Sequence, residues 1–110
     1  MASLLSINLK KLDGTELNNT RKSIFVNKSG IRFLIIGVSP YYGIHSEGKY
    51  NVFFNMDNLH VHDPIPLIKA EMKNHQGTYD FVILLSHQGI HTDEMIAKKV
   101  DGIDLIGRDA

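Results

Sequence analysis

Two stretches that are apolar at consecutive positions, Phe33-Leu34-Ile35-Ile36 and Phe81-Val82-Ile83-Leu84-Leu85, restrict the folds open to this chain more than any other feature. A strand with one wet face alternates apolar and polar residues, whereas these runs present apolar side chains to both faces. Such strands typically lie inside a parallel sheet covered by helices. Parallel neighbours need a crossover between them, and the intervening sequence supplies one. Asp63-Pro64 has the chemistry of a helix start, with the carboxylate as N-cap and proline at the first helical position. Ile65, Ile68 and Met72 then recur on one face, opposite Lys69, Lys73 and Asn74, until Gly77 stops the helix.

The same alternation continues toward the C-terminus. Thr92 can cap a helix whose first turn carries Asp93 and Glu94 and whose later turn carries Lys98 and Lys99, in keeping with the helix dipole. Ile96 and Val100 face inward, Gly102 ends the helix, and Ile103-Asp104-Leu105-Ile106 is a short third core strand. Upstream, Ser23-Ile24-Phe25-Val26, the turn Asn27-Lys28-Ser29-Gly30 and the strand Ile31–Val38 form a hairpin pattern. The sequence thus predicts an α/β fold with a mostly parallel core sheet. Residues 31–38, 81–85 and 103–106 are its neighbouring strands, flanked by helices near 64–75 and 92–100.

At 110 residues the chain is one domain at most, or part of a larger one, and long enough to bury a core without disulfides or metals. Hydrophobic residues at 43% and charged residues at 22% argue against long disorder. Twelve basic and twelve acidic side chains cancel, so no global basic field attracts nucleic acid or anionic lipid. The absence of cysteine excludes thiolate metal sites and cysteine catalysis. No apolar run approaches the roughly 20 residues of a membrane helix, and residues 1–8 lack the charged lead and apolar core of a signal peptide. The expectation is a soluble cytoplasmic chain with no membrane and no nucleic-acid partner.

In parallel α/β sheets, ligands collect beyond the carboxyl ends of the strands. Those ends are Ser39-Pro40-Tyr41-Tyr42-Gly43, Ser86-His87-Gln88-Gly89 and the residues after Ile106. His87 directly follows a buried strand in a glycine-loosened turn, where its imidazole can ligate a divalent metal, handle protons, or simply hydrogen-bond a neighbouring loop. His60 and His62 alternate beside Asp63 and could form a metal pair, but Asp63 is already explained as a helix cap. His91 lies four residues after His87, with Gly89 between them breaking any helical His-x-x-x-His face; His45 and His75 read as surface residues. The Tyr41-Tyr42-Gly43 rings either line a pocket or pack over the sheet edge. Ser39 and Ser86 have no Ser/His/Asp logic, and neither a Gly-x-Ser-x-Gly elbow nor a Walker loop exists. Asp80 precedes its strand and Asp104 lies within the next, so neither is at a carboxyl end, and Gly102-Ile103-Asp104 reads as a turn with a structural carboxylate.

The run Tyr79-Asp80-Phe81-Val82-Ile83-Leu84-Leu85-Ser86-His87-Gln88-Gly89-Ile90, followed by Asp93, Ala97, Val100 and Gly102-Ile103-Asp104-Leu105-Ile106, closely resembles the calcineurin-like metallophosphoesterases. The subgroup is that of the 5′-nucleotidases and 2′,3′-cyclic-nucleotide phosphodiesterases. Gly30–Val38 and Ser3–Leu9 resemble two further segments of the same family, so the likeness spans roughly residues 3–106. It implies part of an α/β/β/α metallophosphatase sandwich, with two divalent metals (Mn, Zn, Mg or similar) activating water for attack on a nucleotide or other phosphate ester. Of the family's five ligand blocks, Asp-x-His, Gly-Asp, Gly-Asn-His-(Glu/Asp), Leu-Ser-His and Gly-His-x-His, the sequence contains only the fourth, which makes His87 the implied metal ligand. After Ile106 the chain reads Gly107-Arg108-Asp109-Ala110 instead of the last block. The expectation is therefore that residues 1–110 are a partial phosphoesterase domain, inactive alone and holding no metal stably. The alternative is a non-catalytic α/β remnant that self-associates through an exposed sheet edge. A generic small-molecule module ranks third, since no Gly-rich phosphate loop follows either strand.

Overall fold

The computed structural model describes residues 4–11, 13–16, 20–39, 59–86 and 90–108. Along the chain these form β1 (Leu4–Leu5), β2 (Leu9–Lys11), β3 (Thr20–Arg21), β4 (Ser23–Lys28), β5 (Ile31–Val38), β6 (Leu59–Val61), α1 (Pro64–Asn74), β7 (Phe81–Ser86), α2 (Ile90–Lys99) and β8 (Leu105–Arg108). The long apolar strands build one four-stranded sheet in the order β4-β5-β7-β8. β4 and β5 pair antiparallel, while β5-β7 and β7-β8 pair parallel, as two consecutive βαβ units require. The remaining short strands pair as β1 with β3 and β2 with β6.

The hairpin is tighter than the sequence predicts. Asn27 and Lys28 pair with Arg32 and Ile31, leaving a two-residue turn at Ser29 and Gly30. Both turn residues have positive φ, 55° and 81°, the primed-turn geometry whose twist matches the flanking strands. α1 starts as expected: Asp63 Oδ1 accepts from the Ile65 backbone N–H at 3.0 Å, with Pro64 leading the first turn. α2 begins at Ile90, so Thr92 lies inside its first turn rather than capping it. β8 begins two residues later than predicted. Asp104 docks on the start of β7 from both sides, donating its N–H to Val82 O at 2.9 Å and accepting the Val82 N–H on Oδ2 at 2.8 Å. The ladder proper then opens with Leu105 opposite Ile83.

Alternate residues of the two central strands, Leu34, Ile36 and Val38 with Val82 and Leu84, are buried against Ile68 of α1 and Ile96 and Val100 of the α2 end. Ile7 joins this cluster from the N-terminal segment. A second tie holds α1 to the sheet: Ser23 Oγ donates to Glu71 Oε2 at 2.6 Å, and His75 Nε2 lies 3.5 Å from the same oxygen. The prediction of a sheet covered on both faces holds for one face only. On the other, Phe81, Leu85 and Leu105 remain exposed: both helices lie on the first face, and Leu5 of β1 reaches the second at Gly37, near the end of β5. No helix among the described residues is long and apolar enough to cross a membrane.

Candidate functional site

The register brings the carboxyl ends of the three parallel strands level: Val38 pairs with Ser86, and Ser86 with Arg108. Ser39 continues from β5, and both serines are buried, at 6% and 1% exposure. A polar node fixes this end of the sheet. Asn8, fully buried, donates from Nδ2 to Ser39 O at 2.9 Å and to His62 O at 3.1 Å. Its Oδ1 accepts the Ser39 backbone N–H at 2.7 Å and the Ser6 hydroxyl at 3.3 Å. Ser6 Oγ lies 2.7 Å from Ser39 Oγ and accepts the Leu9 N–H at 3.1 Å. Only a carboxamide can donate to two carbonyls while accepting an N–H, so asparagine is the residue this junction requires. It ties the end of β5 to the chain entering α1.

Asn8 and Ser6 carry no signal of this role in the residues alone. Ser6-Ile7-Asn8 has the look of an ordinary polar turn, and its partners lie 31 and 54 positions away. Family likeness singles out the segment Ser3–Leu9, without revealing the bonds it makes.

The other sequence candidates fall into three groups. His87, the implied metal ligand, lies outside the described residues, as do Tyr41, Tyr42, Gly43 and His45. His60 is in β6 and His91 in α2, but their side chains also fall outside the description. His62 and Asp63 are described and engaged: the imidazole Nε2 sits 3.2 Å from Lys11 O, and Asp63 caps α1. They form part of the wall of a cavity of about 300 Å³, shared with Lys10, Gly14, Pro66 and Leu67. Lys10 Nζ meets Glu16 Oε1 there at 3.0 Å, and Lys22 reaches the same oxygen at 3.5 Å.

Asp80 and Asp104 both make structural bonds, which the sequence predicts for Asp104. Asp80 Oδ2 accepts the Arg32 backbone N–H at 2.8 Å, and Oδ1 pairs with Arg32 Nη2 at 3.1 Å. The Arg32 side-chain and backbone donors hold the Asp80 carboxyl below its ordinary pKa. This pair belongs to the amino end of β7, away from the strand ends where a ligand would sit.

Among the described residues no three His, Asp or Glu side chains gather closely enough to hold a metal ion. The described groups at the strand ends are hydroxyls and a carboxamide that bond one another, whereas a divalent pair needs carboxylates and imidazoles. They do not fit a metal centre, and no chemical step follows from them through one.

No protein-family profile matches the chain. A curated relative, the uncharacterized metallophosphoesterase YunD of Bacillus subtilis (strain 168), is 31% identical over 80 residues, which is 72% of this chain and 15% of that protein. The NAD nucleotidase NadN of Haemophilus influenzae superposes with a TM-score of 0.70 at 22% identity, over 98% of this chain and 19% of its own. The Thermus thermophilus sulfate thiohydrolase SoxB, solved with glycerol, gives 0.74 at 19% identity, over 96% of this chain and 19% of its own. The chain therefore spans less than a fifth of each of these proteins. Its fold is the metallophosphatase-type α/β arrangement with a mostly parallel sheet. Sequence likeness and shared fold together relate this chain to the metallophosphoesterases.

Proposed function

We propose that the chain is a segment of a metal-dependent phosphoesterase that hydrolyses nucleotide or related phosphate esters, with His87 as one ligand of a paired divalent centre. In this reading residues 1–110 form part of the catalytic domain, work in the cytoplasm, and have no turnover by themselves. The observation that carries it is the placement of Leu84-Leu85-Ser86 at the end of a central parallel strand, immediately before His87, in a chain 31% identical to a metallophosphoesterase. A paired centre generates hydroxide near neutral pH and spreads charge from the phosphoryl oxygens, and it needs several anionic and imidazole donors. The sequence supplies one histidine at a position matching the family's ligand blocks.

The test is hydrolysis of bis(p-nitrophenyl) phosphate by the chain with Mn²⁺ or Zn²⁺, run beside zinc calorimetry. The expected result is no turnover and weak, non-stoichiometric, pH-dependent binding, because a lone imidazole competes poorly with water for the ion. Robust hydrolysis lost in His87→Ala, or one zinc bound with sub-micromolar affinity, would refute the ligand-count argument. If the chain is instead a non-catalytic remnant, its association would run through the sheet's edge strands, β4 and β8.

A further inference from the structure

Glu71 on α1 is a buried carboxylate, 7% exposed, with no lysine or arginine at ion-pair distance among the described residues. Its side-chain partners are the Ser23 hydroxyl of β4, which donates to Oε2 at 2.6 Å, and the His75 imidazole. Glu16 and Asp80, by contrast, meet two lysines and an arginine. Taking a carboxylate out of water is costly unless a positive charge faces it, and an imidazole carries one only when protonated. His75 Nε2 lies 3.5 Å from Glu71 Oε2. That is longer than the roughly 2.7–3.2 Å of an N–H···O hydrogen bond. It matches two donors on one tetrahedral zinc, since bonds of about 2.1 Å at about 110–120° set their donor atoms roughly 3.4–3.6 Å apart.

We infer that Glu71 and His75 form a weak site for a borderline divalent ion, Zn²⁺ foremost and Ni²⁺ or Cu²⁺ with it, at the C-terminal end of α1. The two residues are four apart, so their side chains rise from one face of the helix. An imidazole donor selects these ions over Mg²⁺ and Ca²⁺, which prefer oxygen alone. A carboxylate oxygen has more than one lone pair, so Oε2 can keep the Ser23 bond and still meet the ion. Water completes the shell on the open side, where the His75 side chain is 35% exposed. Both donors are already held from β4: Ser23 fixes Oε2, and the Phe25 ring lies edge-on to the imidazole with centroids 5.0 Å apart. A bound ion therefore supplies the charge that Glu71 lacks and clamps the end of α1 to the edge of the sheet. Half the donors of a closed four-ligand site leave about half its binding free energy, which puts the dissociation constant at roughly 1–200 μM. The site is separate from His87 and goes beyond the phosphoesterase reading.

Zinc titration of the 110-residue chain at neutral pH, followed by NMR of histidine rings and backbone amides, reads each imidazole separately. The His75 ring should shift and saturate at micromolar zinc, while Mg²⁺ leaves it unmoved. Glu71→Gln should weaken that response about tenfold or more. The glutamine amide oxygen still accepts from Ser23, so the fold is kept, which far-UV circular dichroism would verify. His75→Gln, at a partly exposed position, should abolish the zinc response of the Ser23 and Glu71 amides. Zinc at about 1 mM should raise the urea midpoint of wild type and leave that of both variants in place. A His75 ring that ignores zinc would overturn the inference, as would a zinc response that either substitution leaves unchanged. The His87 ring is a separate signal, so failure here and failure of the phosphoesterase reading are told apart in one titration.

Discussion

Gly37 is the position where the packing admits no side chain. A Cβ built on it would lie 2.2 Å from the Leu5 carbonyl oxygen, 2.6 Å from Leu5 C and 2.8 Å from Leu5 Cγ, all inside the 3.0 Å that real Cβ atoms respect. Its φ is not among the positive ones, so the glycine is needed for space and not for backbone freedom. In Gly37→Ala the backbone at Leu5 must retreat by nearly an ångström. It is anchored on both sides: Ser6 N–H donates to Arg21 O at 2.9 Å and Ile7 N–H to Gly37 O at 2.8 Å, with Ile7 itself 1% exposed in the core. Overpacking of this kind costs about 1–3 kcal/mol. Loosening the Ile7–Gly37 bond adds about 1 kcal/mol, and the lower unfolded-state entropy of alanine returns about 0.5–1 kcal/mol. The net is about 2 kcal/mol, which in urea lowers the unfolding midpoint by roughly 1 M. Gly107 supplies the control, since it shares the row Gly37–Leu85–Gly107. A Cβ there meets only Leu85 Cδ2 at 3.6 Å and Leu84 O at 3.9 Å. Gly107→Ala should therefore match wild type or gain up to about 0.5 kcal/mol. If Gly37→Ala unfolds with the wild-type midpoint, or both alanines cost the same, the close approach of β1 to β5 is wrong.

Asn8→Ala strips partners from the Ser39 N–H and from the Ser39 and His62 carbonyls at a buried junction. A loss of about 3 kcal/mol is expected in urea unfolding. Asn8→Asp is the more severe change near neutral pH, because it aims a carboxylate at two carbonyl oxygens; a variant as stable as wild type would contradict the node. For Arg32–Asp80 the side-chain hydrogen bond from Arg32 holds the folded carboxyl below its ordinary pKa. Its contribution is therefore present above the ordinary carboxylate range and disappears as the pH falls through the folded value. The urea midpoints of wild type and Asp80→Asn should accordingly differ at neutral pH and converge in acid; a gap independent of pH would show that the charge contributes nothing.

The βαβ core is legible in the sequence because each of its signals is local and strong. Five or more strand-forming residues in a row mark β5 and β7, and Asp63-Pro64 fixes the start of α1 through atoms two residues apart. The errors share a physical cause, which is that the deciding partner is remote. β1, β2, β3 and β6 are two or three residues long and exist only through their pairing, so no periodicity announces them. β8 slips by two residues because Asp104 spends both its N–H and its carboxylate on Val82, twenty-two positions away. Asp93, expected as a first-turn carboxylate favourable to the dipole, is also buried at 4% exposure, which its helical position alone does not foretell. The sequence points to the strand ends as the place for a ligand, and what the structure describes there is the Ser6–Asn8–Ser39 node, assembled from segments far apart in the chain.

The apolar pattern of β5 and β7 bears on the open sheet face as well. A sheet face meant for water would place polar residues at every second position of its strands, and such alternation is absent here. Ile31, Phe33, Ile35, Phe81, Ile83, Leu85 and Leu105 all occupy that face, and among the described paired residues its only charge is Lys28 at one end. The parallel-strand rule, read from sequence, asks for a cover on both faces, and the structure supplies one from α1 and α2 on the Leu34–Leu84 side. Exposure of the second face and its apolar composition are therefore two independent signs of a missing layer. Sequence and structure conflict only if every covering element must come from the described residues. In the α/β/β/α sandwich of the family that face meets a second sheet, which removes the conflict. Gly37 sharpens the point: Leu5 already crosses the end of β5 there, so the covering layer must dock toward the Phe33–Phe81 and Ile83–Leu105 rows.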